Sequence, residues 1–256
     1  MSNLKQGKKI YFASDLHLGA PYIKNPREHE VRFVSWLDSI KDNADAIYLV
    51  GDIFDFWYEY KYSIPKGFTR FLGKLSELTD SGIEIHIFTG NHDVWLFGYL
   101  ASECGVTIHH DPLTMDINGK HFFLAHGDEV GDFDRGYKLM KRIFRNRTAQ
   151  WLFALLHPDI AIGFAKRWSV KSRAKNENSY KSEYWGDDKE WQVLFAKSHL
   201  KENPETNFFI FGHRHIAREI PINSNSKIIY LGDWIKNFSY AEFDGEELSL
   251  KFFERK

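Results

Sequence analysis

The chain has 256 residues and a net charge of -1, and its 43% hydrophobic residues are enough to bury a sizeable core, which excludes a disordered protein. A single cysteine, Cys104, excludes an internal disulfide and a thiolate metal cluster and suits a reducing cytosol. Because no apolar run reaches about 18 residues and no apolar core follows the basic segment 1–9, we expect neither a membrane-spanning helix nor a signal peptide.

The first part of the chain alternates strands with amphipathic helices. Apolar runs predict strands at residues 9–14, 46–50 and 83–89, and helical spacing predicts a helix that begins at Pro26 and another over 68–79. This alternation favours an α/β fold with a helix-flanked sheet. In such folds, ligands gather beyond the carboxyl ends of the strands.

Shorter elements follow in the remainder of the chain. Asn118-Gly119 is typical of a two-residue hairpin turn. The tail, residues 219–253, has turn signals that predict an antiparallel meander. The other predicted elements are strands at 106–109, 113–117 and 121–125, a helix at 188–201 and a strand at 207–211.

A helical insertion is predicted at about residues 131–187, within a single domain that spans 1–256. Its helices are expected over 134–146, 148–156 and 159–171. The second helix is apolar nearly all round, which requires burial or a hydrophobic partner. We expect the insertion to cover the face where the strands end.

The insertion also concentrates positive charge. Between Arg135 and Lys181 twelve lysines and arginines accompany only two acids, Asp159 and Glu177, so this segment carries +10 and the rest of the chain -11. A solvated amphipathic hairpin is one explanation. An acidic headgroup that carries acyl chains would match both the charge and the apolar side chains, and basic amphipathic helices are typical of membrane surfaces.

Five predicted strands end in side chains that bind metals. His213 and His215 are two residues apart, so along an extended backbone they share an orientation, and imidazole is the commonest nitrogen ligand. Any one ending could be a turn or a helix cap, but five on one predicted face favour a metal site. The endings are Asp15-Leu16-His17, Gly51-Asp52, Gly90-Asn91-His92-Asp93, His126-Gly127-Asp128 and Gly212-His213-Arg214-His215.

This ordered set resembles the calcineurin-like metallophosphoesterase superfamily. The resemblance implies a βαβ sandwich of two packed mixed sheets flanked by helices, with a binuclear metal centre that hydrolyses phosphoesters. It implies that Asp52 bridges the two ions. The implied ligands are Asp15, His17, Asp52 and His215 for one ion and Asp52, Asn91, His126 and His213 for the other.

The chemistry of these ligands suits divalent ions. Mixed imidazole and carboxylate ligands favour Mn²⁺, with Fe or Zn as alternatives. The resemblance implies that His92 stabilises the transition state or protonates the leaving oxygen, and we expect Asp93 to hold the other ring nitrogen of His92. For Asp55, a direct role and a supporting role both stay open.

Four features of the sequence carry a closer resemblance. They are the motif Asp-Leu-His-Leu-Gly at Asp15, the motif Gly-Asp-Ile-Phe-Asp-x-Trp at Gly51, the helical insertion, and the polar stretch from Arg173 to Lys181. Together they resemble the UDP-2,3-diacylglucosamine pyrophosphohydrolases of lipid A synthesis. The resemblance implies cleavage of an acylated UDP-sugar to UMP and 2,3-diacylglucosamine 1-phosphate, with Mn²⁺ and an acyl-binding helical lid.

The same resemblance implies a cytoplasmic enzyme, peripherally associated with the inner face of the cytoplasmic membrane. The lid would contact both halves of the substrate. The expected contacts are Lys171, Arg173, Asn178 and Lys181 with the sugar and phosphates, and Phe153 and Phe164 with the acyl chains.

One residue departs from the familiar pattern, because well-known members carry Arg directly after the Asn, where this chain has His92. The alternative is therefore another phosphodiesterase or phosphatase that acts on nucleotides or nucleic acid. Nucleic-acid grooves favour aromatics presented singly for stacking, unlike the apolar run from Trp151 to Leu156, so we do not expect nucleic acid as a partner. A non-catalytic scaffold would be expected to have lost ligands, and none is missing.

Overall fold

The computed structural model describes residues 4–130, 141–165, 167 and 183–254. Within these residues, strands and helices alternate through the first half of the chain, and strands dominate its end. In chain order the elements are β1 (Lys9–Ala13), α1 (Pro26–Ile40), β2 (Ala44–Val50), α2 (Thr69–Asp80), β3 (Glu84–Phe88), α3 (Tyr99–Cys104), β4 (Thr107–His109), β5 (Leu113–Ile117), β6 (Lys120–Ala125), α4 (Arg147–Ala154), α5 (Trp191–Glu202), β7 (Thr206–Phe211), β8 (Ala217–Pro221), β9 (Lys227–Leu231), β10 (Ser239–Phe243) and β11 (Leu248–Phe252).

The strands form two mixed sheets. The six-stranded sheet has the order β11-β10-β1-β2-β3-β4, with β1 to β4 parallel and β10 antiparallel to β1. The five-stranded sheet has the order β5-β6-β7-β9-β8, with parallel strands at its centre and an antiparallel strand at each edge. The predicted α/β fold of two packed mixed sheets is confirmed.

The core lies in three layers. Apolar side chains from both sheets meet between them, as where Phe12 of β1 stacks on Phe122 of β6 with 6.1 Å between ring centroids. Helices α1 and α2 cover the outer face of the six-stranded sheet, and α5 covers the outer face of the five-stranded sheet. Because both central strand sets are buried on two faces, they are continuous apolar runs in the sequence.

Two local predictions have different outcomes. The hairpin turn is confirmed, since Asn118 and Gly119 both have positive φ, +52° and +75°, as a two-residue turn requires. The prediction of one antiparallel meander over residues 219–253 is wrong. Strands β8 and β9 pair in the five-stranded sheet, whereas β10 and β11 pair in the six-stranded sheet. Turn signals mark each hairpin but carry no information about which sheet the hairpin joins. Helix α3 was not predicted.

The described part of the insertion is helical. Residues 141–144, α4 and residues 158–165 form helices between β6 and α5. Residues 131–140, 166 and 168–182 of the predicted insertion, which include Lys171, Arg173, Asn178 and Lys181, lie outside the described residues. None of the helices in the described ranges is both long enough and apolar enough to span a membrane.

Candidate metal centre

Loops at the carboxyl ends of the strands bring the predicted ligands together in two groups. In each group, the candidate ligand atoms lie within 4.8 Å of one another. Both groups combine a carboxylate with two imidazoles, a combination that suits a divalent transition metal. One group is Asp15, His17 and His215, and the other is Asp52, His126 and His213.

Asp52 lies between the two groups. Its Oδ2 atom is 3.3 Å from Nε2 of His126 in its own group and 3.7 Å from Nε2 of His17 in the other. Asn91 completes the second group, because its Oδ1 atom is 3.0 Å from Nδ1 of His213 and 3.4 Å from Nε2 of His126. All seven predicted metal ligands therefore face one region.

The hydrogen bonding of these side chains fits a bound cation. Oδ1 of Asp15 and both ring nitrogens of His17 are buried, and none of them makes a hydrogen bond. The Oδ1 atom of Asp15 nevertheless faces Nε2 of His17 at 3.7 Å and Nε2 of His215 at 3.4 Å. Buried polar atoms almost always have partners, so the convergence of Oδ1 of Asp15 with Nε2 of His17 and Nε2 of His215 fits coordination of an ion.

The pKa shifts of the histidines also fit a bound cation. Burial alone would lower the pKa of His17, but Asp15, Asp55 and Asp52 outweigh it and raise that pKa to about 10. The carboxylates thus attract positive charge strongly. Burial, together with His126, lowers the pKa of His213 to about 4, which leaves this ring neutral and able to donate a lone pair.

The backbone at the ligands is unusual. Of the eight non-glycine residues with left-handed backbone in the described ranges, five are predicted ligands. This conformation costs about 1–3 kcal/mol per residue and persists where the surroundings over-determine it, typically at functional sites. The five residues are Asp15, His17, Asp52, His213 and His215, with φ between 49° and 67°.

Asp233 belongs to the site but was not predicted. Its Oδ2 atom lies 3.1 Å from Nδ1 of His215, and its Oδ1 atom accepts backbone hydrogen bonds from Ile235, Lys236 and Asn237. A carboxylate held this firmly orients the ring of a metal-binding histidine. The signal was present in the sequence, because Gly232-Asp233 follows a strand as Gly51-Asp52 does.

The prediction that Asp93 holds His92 is wrong. The two oxygens of Asp93 accept hydrogen bonds from the backbone N–H groups of Gly90, Ile53 and Phe54, so this buried carboxylate joins the loops after β2 and β3. Nδ1 of His92 instead lies 3.0 Å from the carbonyl oxygen of Asp55. Two of these three backbone donors come from a different loop, and the spacing of motifs cannot show this.

Asp55 forms a further group with His17 and His92, whose candidate ligand atoms also lie within 4.8 Å of one another. Its Oδ1 atom lies 3.5 Å from Nδ1 of His17 and 3.6 Å from Nδ1 of His92. The carboxylate therefore faces the ring nitrogen of His17 that points away from Asp15 and Asp52. These contacts suit both roles left open for Asp55, a direct role in binding an ion and a supporting role in orienting the two imidazoles.

The insertion packs on the loops that carry these side chains. Trp95 donates from Nε1 to the carbonyl of Phe144 at 2.8 Å, and the hydroxyl of Tyr58 donates to the carbonyl of Gln150 at 2.7 Å. Phe153 of α4 packs against Trp95, with 4.5 Å between ring centroids. Tyr58 and Trp95 follow Asp55 and His92 closely in sequence, so these contacts place α4 beside the metal groups.

Much of the insertion's apolar surface faces outward. Phe164, which was predicted to contact acyl chains, is 60% exposed, whereas Phe153 is partly buried as an anchor of α4. The expected burial of the apolar helix is therefore only partial, which leaves a surface for a hydrophobic partner. The other exposed large apolar side chains of this region are Ile143, Trp151, Leu152, Leu155, Leu156 and Ile160.

Comparisons with known proteins cover nearly the whole chain. A family model described as calcineurin-like phosphoesterase matches residues 8–217. A UDP-2,3-diacylglucosamine hydrolase of Porphyromonas gingivalis is 45% identical over 256 residues, which cover 96% of this chain and 98% of that protein. One of Shewanella baltica is 26% identical over 245 residues, covering 95% and 96%. A dimetal phosphatase from Danio rerio aligns with a TM-score of 0.48 and 15% identity, covering 96% and 95%.

Proposed function

The chain belongs to the calcineurin-like phosphoesterase family, and we propose that it hydrolyses the pyrophosphate of UDP-2,3-diacylglucosamine to UMP and 2,3-diacylglucosamine 1-phosphate. The observation that carries this proposal is the 45% identity to a UDP-2,3-diacylglucosamine hydrolase over almost the full length of both chains. The protein is a metal-dependent phosphoester hydrolase.

The two groups of side chains would hold two divalent ions, which we propose are Mn²⁺. Asp52 would be shared, because its Oδ2 atom faces an imidazole of each group. When bound, the ions would supply Lewis-acid polarisation of the phosphate and activation of a water molecule. The carboxylates of Asp15 and Asp52 would offset the repulsion between two cations held close together.

We propose that His92 acts on the substrate rather than on an ion. A carbonyl oxygen only accepts, so Nδ1 of His92 carries the hydrogen that the carbonyl of Asp55 accepts at 3.0 Å. Its backbone N–H also donates to Oδ1 of Asp52 at 2.9 Å, which ties the backbone of His92 to the shared ligand. We propose that the remaining nitrogen, Nε2, acts when it too carries a hydrogen, which it donates to the oxygen that leaves as the P–O bond breaks.

The insertion supports a lipid substrate. Its exposed apolar side chains lie on helices that pack beside the metal groups, and its sequence carries a charge of +10 between Arg135 and Lys181. A diacylated sugar with two phosphates has both an apolar and an anionic part. We propose that Phe164 contacts the acyl chains and that Lys171, Arg173, Asn178 and Lys181, which lie outside the described residues, contact the sugar and phosphates.

A substrate comparison tests the function. Purified protein loaded with Mn²⁺ would be given UDP-2,3-diacylglucosamine, UDP-N-acetylglucosamine, a cyclic nucleotide and an aryl phosphodiester at equal concentrations. We expect the diacylated sugar to have the highest kcat/KM and to yield UMP. Faster turnover of the cyclic nucleotide or of the aryl phosphodiester would contradict the proposal and favour the nucleotide phosphodiesterase alternative.

We further propose that the protein works in the cytoplasm at the inner face of the cytoplasmic membrane. The basic composition of the insertion and its exposed apolar side chains support this, because segments that combine the two bind anionic lipids. Co-sedimentation with anionic vesicles, and release by high salt, is expected. Equal binding to neutral vesicles, unaffected by salt, would contradict an electrostatic attachment.

A further inference from the structure

Arg214 lies between two predicted ligands, His213 and His215, yet its side chain points away from them into the protein. It is 5% exposed, and its Nε and Nη2 atoms donate to the two carboxylate oxygens of Glu190 at 3.0 and 2.8 Å. Glu190 is completely buried. Arg214 and Glu190 therefore form a bidentate ion pair. Lys cannot reproduce this geometry, because its ammonium group lacks the planar fork of N–H donors.

Two indole rings enclose the guanidinium group. Its central carbon lies 4.2 Å from the ring centroid of Trp185 and 5.1 Å from that of Trp191. Nη2 also donates to the carbonyl of Glu183 at 3.3 Å, and Glu190 accepts a hydrogen bond from the backbone of Trp185. Arg214 thus contacts several residues of 183–190, the segment that leads from the insertion into α5.

The start of α5 also holds the neighbouring strand end. Trp191 and Gln192 both donate from their side chains to the carbonyl of Gly127, at 3.2 and 3.1 Å. Gly127 follows His126, another predicted ligand. One buried helix start therefore fixes the ends of both β6 and β7, which carry three of the imidazoles.

The residues on either side of Arg214 have an unfavourable backbone conformation that needs support. His213 and His215 have φ of +67° and +54°, a conformation that L-residues keep only when their surroundings impose it. The backbone N–H of Arg214 donates to the carbonyl of Gly212 at 2.8 Å, so the residue is held at both its backbone and its side chain. A buried ion pair is by itself weak evidence for stability, so its position between two ligands calls for a functional explanation.

We propose that Arg214 is a positioning residue for the metal centre, which it maintains by fixing His213 and His215 against Glu190 and residues 183–190 at the end of the insertion. The inference rests on the proposed metal-dependent hydrolysis, and it names a residue that acts on the divalent ions only through its neighbours.

The test compares Arg214→Lys and Glu190→Gln with the unsubstituted protein. Calorimetric titration with Mn²⁺ and the electron paramagnetic resonance spectrum of the bound ions report the centre without any substrate. We expect each variant to bind Mn²⁺ about 10-fold more weakly, the lower end of the effect of residues that orient ligands, with an altered spectrum. The kcat for an aryl phosphodiester should fall while its KM changes less than about twofold. In the double variant, the loss of Mn²⁺ affinity should be smaller than the sum of the losses in the two single variants, expressed as free energies.

Lys74→Met is the matched control. Lys74 is also largely buried and pairs with Asp38 at 2.8 Å, but it lies in the α1–α2 layer away from the metal groups. Its loss should alter the Tm without changing Mn²⁺ affinity or the spectrum.

Normal Mn²⁺ affinity and an unchanged spectrum in folded Arg214→Lys would overturn the proposal, even if the Tm fell. Should that variant fail to fold, Glu190→Gln, which keeps the shape of the carboxylate, decides by the same criterion. If the substitutions weaken Mn²⁺ binding but the unsubstituted protein does not hydrolyse the diacylated UDP-sugar, the proposed substrate fails while the positioning role stands.

Discussion

Gly90→Ala should damage the metal centre without altering any predicted ligand. A Cβ atom at residue 90 would lie 2.2 Å from Oδ1 and 2.6 Å from the backbone nitrogen of Asp52. Real Cβ contacts shorter than 3.0 Å essentially do not occur, so the Asp52 carboxylate must move by about 1 Å. That displacement takes the carboxylate shared by both groups out of place.

The size of the effect follows from this displacement. A misplacement of about 1 Å at a reacting centre can cost about 100-fold in rate. Overpacking costs about 1–3 kcal/mol, which is smaller than a typical total stability of about 5–15 kcal/mol, so the variant should still fold. We expect an approximately 100-fold lower kcat and weaker Mn²⁺ binding, measured by turnover of an aryl phosphodiester and by calorimetric titration.

Gly73→Ala provides the control. Gly73 lies within α2, where an added Cβ meets nothing within 4 Å. The Gly73→Ala substitution should stabilise the helix by about 0.5–1 kcal/mol and leave activity unchanged. If folded Gly90→Ala kept normal Mn²⁺ affinity and turnover, Asp52 would not be the shared ligand and the assignment of the centre would be refuted.

Three further substitutions separate the other parts of the site. His92→Ala should keep two bound ions, counted by metal analysis, while turnover falls about 100-fold or more; metal loss in parallel with activity would make His92 a ligand instead. Asp233→Asn should weaken Mn²⁺ binding about 10- to 100-fold, measured by calorimetry, because it loses the carboxylate that orients His215; unchanged affinity would argue against that contact. Phe164→Asp should lower kcat/KM for the diacylated sugar far more than for an aryl phosphodiester, since each buried methylene contributes about 0.8 kcal/mol; equal losses in a folded variant would exclude an acyl contact.

The sequence by itself determined most of the element order and the residues that gather at the strand ends. Alternation of apolar strands and amphipathic helices is a local property, and parallel strands bring their carboxyl ends to one side of a sheet. Asp15, Asp52 and Asn91, which follow the parallel strands β1, β2 and β3 of one sheet, could therefore be placed near one another from the order of motifs alone.

Tertiary structure alone decided which groups those side chains contact. Asp93 satisfies backbone N–H groups some 40 residues away, at Ile53 and Phe54, rather than its neighbour His92. Asp233 reaches His215 across 18 residues, and Arg214 reaches Glu190 across 24. Such partners are selected by which loops the packed sheets bring together and by the need to satisfy every buried polar group. Neither condition can be read from local spacing, and the same holds for the sheet that the hairpin of β10 and β11 joins.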